Sequence, residues 1–107
     1  MTTATSLMAK DNGLYLETSA DALDVIGSGL QGCVFTESDI CPDFFDLRNG
    51  TAGDVFQKFV NYKFKAAFVI PNRHNLGERV TELIRDHKRH TSIRFFESVE
   101  DAVAWLQ

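Results

Sequence analysis

Cysteine and proline are scarce in this chain. The cysteines are Cys33 and Cys41 alone. They form no CxxC pattern and are too few for a disulfide framework. The prolines are Pro42 and Pro71. There is no linker, internal repeat or low-complexity tract, and 107 residues suffice for one domain core but not two. Long apolar runs are missing as well. The longest, residues 66–70, falls far short of the roughly 20 residues that a bilayer-spanning helix needs, so no membrane partner is expected. The opening "MTTATSLMAKDNG" has no basic segment followed by an apolar one, so a cytoplasmic protein is expected. No Gly-rich phosphate loop or zinc-ligand spacing is present, so no cofactor and no metal is implied.

What the chain has in quantity is apolar bulk. Hydrophobic residues make up 44%, with 9 Phe, which predicts a folded domain. Its net charge of −4 is unevenly spread. Residues 1–56 hold 2 basic and 9 acidic side chains; residues 57–94 hold 9 basic and 3 acidic; residues 95–107 hold 3 acidic and none basic. The basic stretch offers Arg79, Arg85, Lys88, Arg89 and Arg94 to a nucleic acid. No aromatics that face outward can be placed among them, and the acidic remainder opposes phosphate, so a solvated helix face is the expectation and nucleic acid is not.

Periodicity gives the element order. "TSLMAKDNGLYLET" reads as a hairpin turning at Asp11-Asn12-Gly13. A short helix follows from about Ser19, with Thr18 and Asp21 as a capping box and Leu23, Ile26 and Leu30 as its apolar stripe. Gly27, Gly29 and Gly32 stop it, and "CVFTE" is a short buried strand. Ala52, Val55, Phe56, Phe59 and Val60 lie on one wide helix face. "KAAFVIP" is a central strand that Pro71 closes. The next helix starts near Leu76, capped by Asn75 and Glu78, with Val80, Leu83, Ile84 and His87 on one face. "SIRFF" is the last strand. "SVEDAVAWLQ" is the last helix, capped by Ser98 and Asp101, with Val99, Ala102, Val103 and Leu106 inward. The expected fold is a single α/β domain over residues 1–107. Its sheet is mixed but mostly parallel, with about five strands and four helices.

The segments "PDFFDL", "GTAG" and "QKFVNYKFKAAFVI" resemble a bacterial family of small uncharacterised proteins, the domain-of-unknown-function family forty-one-eighty. The resemblance runs from about Cys33 to the C-terminal helix and is most specific over residues 42–65. It implies no assigned activity. The element order is also similar to the STAS fold of anti-sigma-factor antagonists and sulfate-transporter tails. There a short Asp-Ser-x-Gly-like segment starts the helix after a central strand, and its Ser can be phosphorylated by a partner kinase. Thr51-Ala52-Gly53 sits at a similar place, with Asn49-Gly50 where an acidic residue is expected.

The join between loop and helix at residues 43–54 is the candidate site. Thr51 is expected to cap the helix with Asp54 completing the box. Gly50 would allow the tight turn, and Gly53 close packing on the sheet. The competing role for Thr51 is as a phosphate acceptor. Phe44 and Phe45 are expected to anchor the loop to the core together, the competing reading being that one of them is a partner contact at the sheet end. Glu37, Asp39, Asp43 and Asp46, with Arg48 beside them, lie just beyond the carboxyl end of a strand, where ligands collect in open α/β sheets. Paired carboxylates there can do acid–base chemistry or hold Mg²⁺, though loop carboxylates more commonly form turns. His87 and His90, three apart, and His74 lack the partners of a zinc site, and basic residues suit the end of a helix. Cys33 reads as a buried small hydrophobe, while Cys41 has no basic neighbour in sequence to lower its pKa. The expected function is a non-catalytic protein-interaction or regulatory module with a protein partner or self-association. The alternative is a small-molecule binder or small enzyme with its site near residues 37–54.

Overall fold

The computed structural model describes residues 7–41, 44, 50–70, 82, 84–87 and 90–106. Its sheet has three strands, β1 (Gly32–Thr36), β2 (Lys65–Val69) and β3 (Ile93–Phe96), in the order β1-β2-β3. Both pairings are parallel, Gly32 opposite Lys65 and Ala66 opposite Ile93. The helices are α1 (Ser19–Ile26), α2 (Thr51–Asn61), α3, seen as helical at 82 and 84–86, and α4 (Val99–Leu106). This is a small α/β domain with helices on both faces of a parallel sheet, the arrangement that buries strands as apolar as "AAFVI" on two sides.

The period of two along each strand sorts the core into two layers. Cys33, Phe35, Ala66, Phe68, Ile93 and Phe95 face α2 and α3, where they meet Val55, Phe56, Phe59 and Ile84. Phe68 sits at the centre of this layer, 5.4 Å from each of Phe35, Phe56 and Phe95 by ring centroid. On the opposite face Val34, Ala67, Val69 and Phe96 meet α4 through Ala102, Val103, Trp105 and Leu106. Gly32 is required by this second layer. A Cβ there would lie 2.7 Å from Leu106 Cδ2 and 3.1 Å from the Lys65 carbonyl oxygen.

The amino-terminal hairpin does not form. Lys10–Asn12 is a 3-10 turn ended by Gly13 at φ 67°. Among the described residues Lys63 is the only non-glycine with positive φ, so Asn12 does not adopt the left-handed conformation that a type I′ hairpin asks of its first central residue. The two flanks instead bridge in parallel to the β1 segment, Met8 to Val34 and Leu16 to Ile40. Val34 N–H donates to the Leu7 carbonyl at 2.7 Å, and Ala9 N–H donates to the Val34 carbonyl at 2.9 Å. The sheet of the described residues is therefore wholly parallel, and the two strands expected from the hairpin shrink to single bridges.

Helix positions were legible to within a residue or two, and helix faces less so. Thr18 N–H donates to Asp21 Oδ2 at 2.9 Å, as the capping box requires. Yet Leu23 is 48% exposed, and Ala22 and Val25 are the buried members of α1. In α2 the expected face is buried except Val60, and in α4 Val99 stands partly exposed while Trp105 packs against the core. Asn75, Glu78, Val80 and Leu83 lie outside the described residues.

Candidate functional site

The two ends of the sheet carry different chemistry. At the carboxyl end, β1 runs into a 3-10 turn, Glu37–Asp39. Asp39 is buried, and its Oδ2 accepts hydrogen bonds from Thr36 N–H at 2.8 Å and Thr36 Oγ1 at 2.9 Å. Those bonds make Asp39 a fastener of the turn. Its neighbour Glu37 is exposed. The chain is then pinned to the first segment, with Leu16 N–H on the Asp39 carbonyl and Cys41 N–H on the Leu16 carbonyl, both 2.9 Å. Phe44 is wholly buried, its ring 6.2 Å from Phe56 and 6.0 Å from Phe68. Phe44 anchors this segment to the core. Asp43, Phe45, Asp46 and Arg48 lie outside the described residues.

Helix α2 starts one residue away from the expected pattern. Gly50, at φ 71°, is its N-cap, and Thr51 is the first helical residue, half-buried. The first helical bond runs from Asp54 N–H to the Gly50 carbonyl at 3.1 Å. The expected hydroxyl cap is thus displaced by a glycine whose left-handed backbone makes the turn. Close packing at Gly53 is also absent, because a Cβ there would meet nothing within 4 Å.

At the amino end, where β1 and β2 begin, a cleft of about 540 Å³ opens. Its apolar lining is Leu7, Ile26, Leu30, Phe64 and Leu106; its polar lining is Gln31, Lys63 and Lys65, with Tyr62 and Gly32. Tyr62 is 61% exposed. The sequence "YKFK" at 62–65 alternates aromatic and basic residues across the join from α2 to β2, a signal that the reading by helix and strand period passed over. Its local structure is a Schellman turn. Phe64 N–H bonds the Phe59 carbonyl at 2.8 Å, Lys63 N–H bonds the Val60 carbonyl at 3.1 Å, and Phe64 stacks on Phe59 at 5.2 Å. Lys63 occupies the left-handed position of that turn at φ 57°, where glycine is the usual residue.

The remaining candidates are tied into the fold. Arg94 Nε donates to the His90 carbonyl at 2.7 Å, and its guanidinium lies 5.3 Å from the centre of the Trp105 ring. Lys65 Nζ also approaches that ring, at 5.6 Å. Arg85 is exposed on α3, and Arg79, Lys88 and Arg89 lie outside the described residues. His90 Nδ1 accepts from Ser92 N–H at 3.0 Å and Ile93 N–H at 3.1 Å, so it launches β3 as a neutral ring. Partial burial, then His87, then Arg94 hold its pKa below the usual histidine value. The His87 ring lies 5.2 Å from that of His90 and 5.4 Å from that of Phe56. His74 is outside the described residues, and among those described no cluster of three His, Cys, Asp or Glu could hold a metal. Cys33 is fully buried, and burial, with Asp39 second, pushes its thiol up to about 12. Cys41 is half-buried, its Sγ 3.9 Å from the Glu17 carbonyl. No described helix is long and apolar enough to cross a membrane.

These elements define a small α/β domain whose parallel sheet ends in a fastened acidic turn on one side and an open, lysine-bearing cleft on the other. The family model described as Domain of unknown function (DUF4180) matches residues 2–106, and the chain belongs to that family. The match reaches well beyond residues 33–106, into the first segment that bridges to β1. No curated protein and no solved structure matches the chain.

Proposed function

We propose that this chain is a non-catalytic protein-interaction or regulatory module, and that the amino-end cleft is its contact surface. The observation that carries this reading is the chemistry of the cleft lining. Among the described residues it combines aliphatic and aromatic side chains with an exposed Tyr62 and two lysines, and holds no carboxylate, histidine or thiol. An apolar centre with an aromatic and basic rim suits a protein contact. The titratable side chains of the lining, Tyr62, Lys63 and Lys65, are exposed, and no carboxylate or histidine stands beside them among the described lining residues, as general acid–base or nucleophilic chemistry would call for. At the other end of the sheet, Asp39 is committed to Thr36 and Phe44 to the core, which weakens the alternative of a small-molecule site or active site near residues 37–54. A STAS-like regulatory role through Thr51 and its loop remains the second surface of the same module.

A photo-crosslinking residue in place of Tyr62, introduced in the native cell, tests the reading. The expected outcome is a discrete protein adduct, a second copy of this chain included, that disappears when Lys63→Glu is added. The reading is overturned if position 62 yields no adduct in cells where the chain is folded and abundant.

A further inference from the structure

Two charged residues sit where the local backbone disfavours them. Lys63 holds the left-handed position of the Schellman turn, where a side chain costs about 1 kcal/mol relative to glycine. Asp24 lies in the last turn of α1, which carries no basic residue there. The helix dipole is negative at that end, and a carboxylate in the last turn is unfavourable by a few tenths to about 1 kcal/mol. The charge of Lys63 suits the end of α2 while its side chain strains the turn, and the charge of Asp24 opposes the α1 dipole. Each belongs to an exposed patch. Lys63 and Lys65 line the cleft, with Tyr62 and Val60 exposed beside them. Asp24, Asp21 and Glu17 border a smaller depression with Tyr15, and Leu23 is exposed next to Asp24. Each patch has an exposed tyrosine and an exposed aliphatic, and the two carry opposite charge.

We propose that the cleft receives the α1 acidic patch of a second copy of this chain. This inference rests on reading the cleft as a contact surface and names its occupant. The contact joins two different surfaces of the same chain. With one such contact between any two copies, each copy keeps one unused end, and assembly is head-to-tail and open-ended. Charge complementarity between patches with apolar centres sets the register.

Sedimentation of the purified chain over a range of concentrations tests the inference. The mean mass is expected to climb past that of a dimer. The association should weaken at least about tenfold between about 0.05 and about 0.5 M NaCl. Lys63→Gly and Asp24→Asn remove the charges while relieving the local cost, so each should melt at or above the wild-type temperature and remain monomeric. Lys63→Gly keeps the acidic patch, and Asp24→Asn keeps the cleft. Mixed together, these two should give a dimer that grows no further. A wild-type chain that stays monomeric throughout overturns the inference, as does a dimer that saturates at two copies, growth indifferent to salt, or a mixture that forms no dimer. If the chain is monomeric while Tyr62 crosslinks to a different protein, this inference fails and the functional reading stands.

Discussion

The amino and carboxyl ends of the sheet differ in the charge that the helices bring to them. Helix α2 begins after β1 and α4 begins after β3, so their first turns lie at the carboxyl end. Those turns hold Asp54, Glu100 and Asp101. Helix α2 finishes toward the amino end with Lys58, and Lys63 and Lys65 follow it. Carboxylates at helix starts and cations at helix ends each complement the dipole. A parallel α/β order repeats that arrangement at every crossover. Among the described residues, Lys58, Lys63 and Lys65 of the basic stretch 57–94 follow that arrangement. The difference also shows where placement is unexplained: Asp24 opposes the dipole at the end of α1, and Lys63 stands at a left-handed position where glycine is usual.

The largest expected effect separates anchoring from contact at the carboxyl end. Phe44→Ala should destabilise the domain by about 3–5 kcal/mol, because a wholly buried ring between Phe56 and Phe68 leaves a cavity. Urea midpoints measure it, and a loss under 1 kcal/mol would mean that the loop is not anchored there. At the amino end Gly32→Val should cost about 1–3 kcal/mol, since the new side chain meets Leu106 and the Lys65 carbonyl. An unchanged midpoint would show that α4 can withdraw from the strand starts without penalty.

Smaller effects sharpen the comparison at single residues. Gly50→Ala should destabilise by about 1–2 kcal/mol because of its positive φ. Gly53→Ala should stabilise by about 0.5–1 kcal/mol, since it adds a helix former in open space. Thermal melts that move in the same direction for both would refute this account of the helix start. The smallest effect is the pH dependence of His90. Its folded pKa is lowered, so the unfolded chain binds more protons near and below pH 6.5, the unperturbed value. Its contribution is fully present above about pH 6.5 and is lost as the pH falls below that value. Denaturant midpoints should therefore drop with acid over this range, and His90→Asn, which keeps an acceptor for the Ser92 and Ile93 amides, should flatten that slope.

The element order was legible because the segments are short and their patterns clean. "KAAFVI" has no polar residue after its lysine and can only be a strand covered on both faces. Thr18 with Asp21 and Ser98 with Asp101 mark helix starts through bonds made within three residues. The hairpin was misread because Asp-Asn-Gly fits several turns, and only the open edge of β1 decides which partner each flank takes. Leu23 was placed inward because a stripe at i, i+3, i+7 continued past the end of a helix that stops at Ile26. Of the candidate site, the sequence offered the Phe44-Phe45 pair as an anchor without choosing between them, and Gly50 as a hinge. It offered Asp39 as a catalytic or ligand-binding carboxylate, and the structure shows its Oδ2 bonded to Thr36.

The sequence by itself determined the α/β class, the alternation of strand and helix from β1 onward and the family, because hydrophobic period and capping chemistry act over a few residues. Tertiary structure decided the strand pairing of the first segment, the face of α1 that is buried and the cleft at the amino end. Those depend on which surfaces meet across the chain, where an edge hydrogen bond or a buried ring outweighs any local preference.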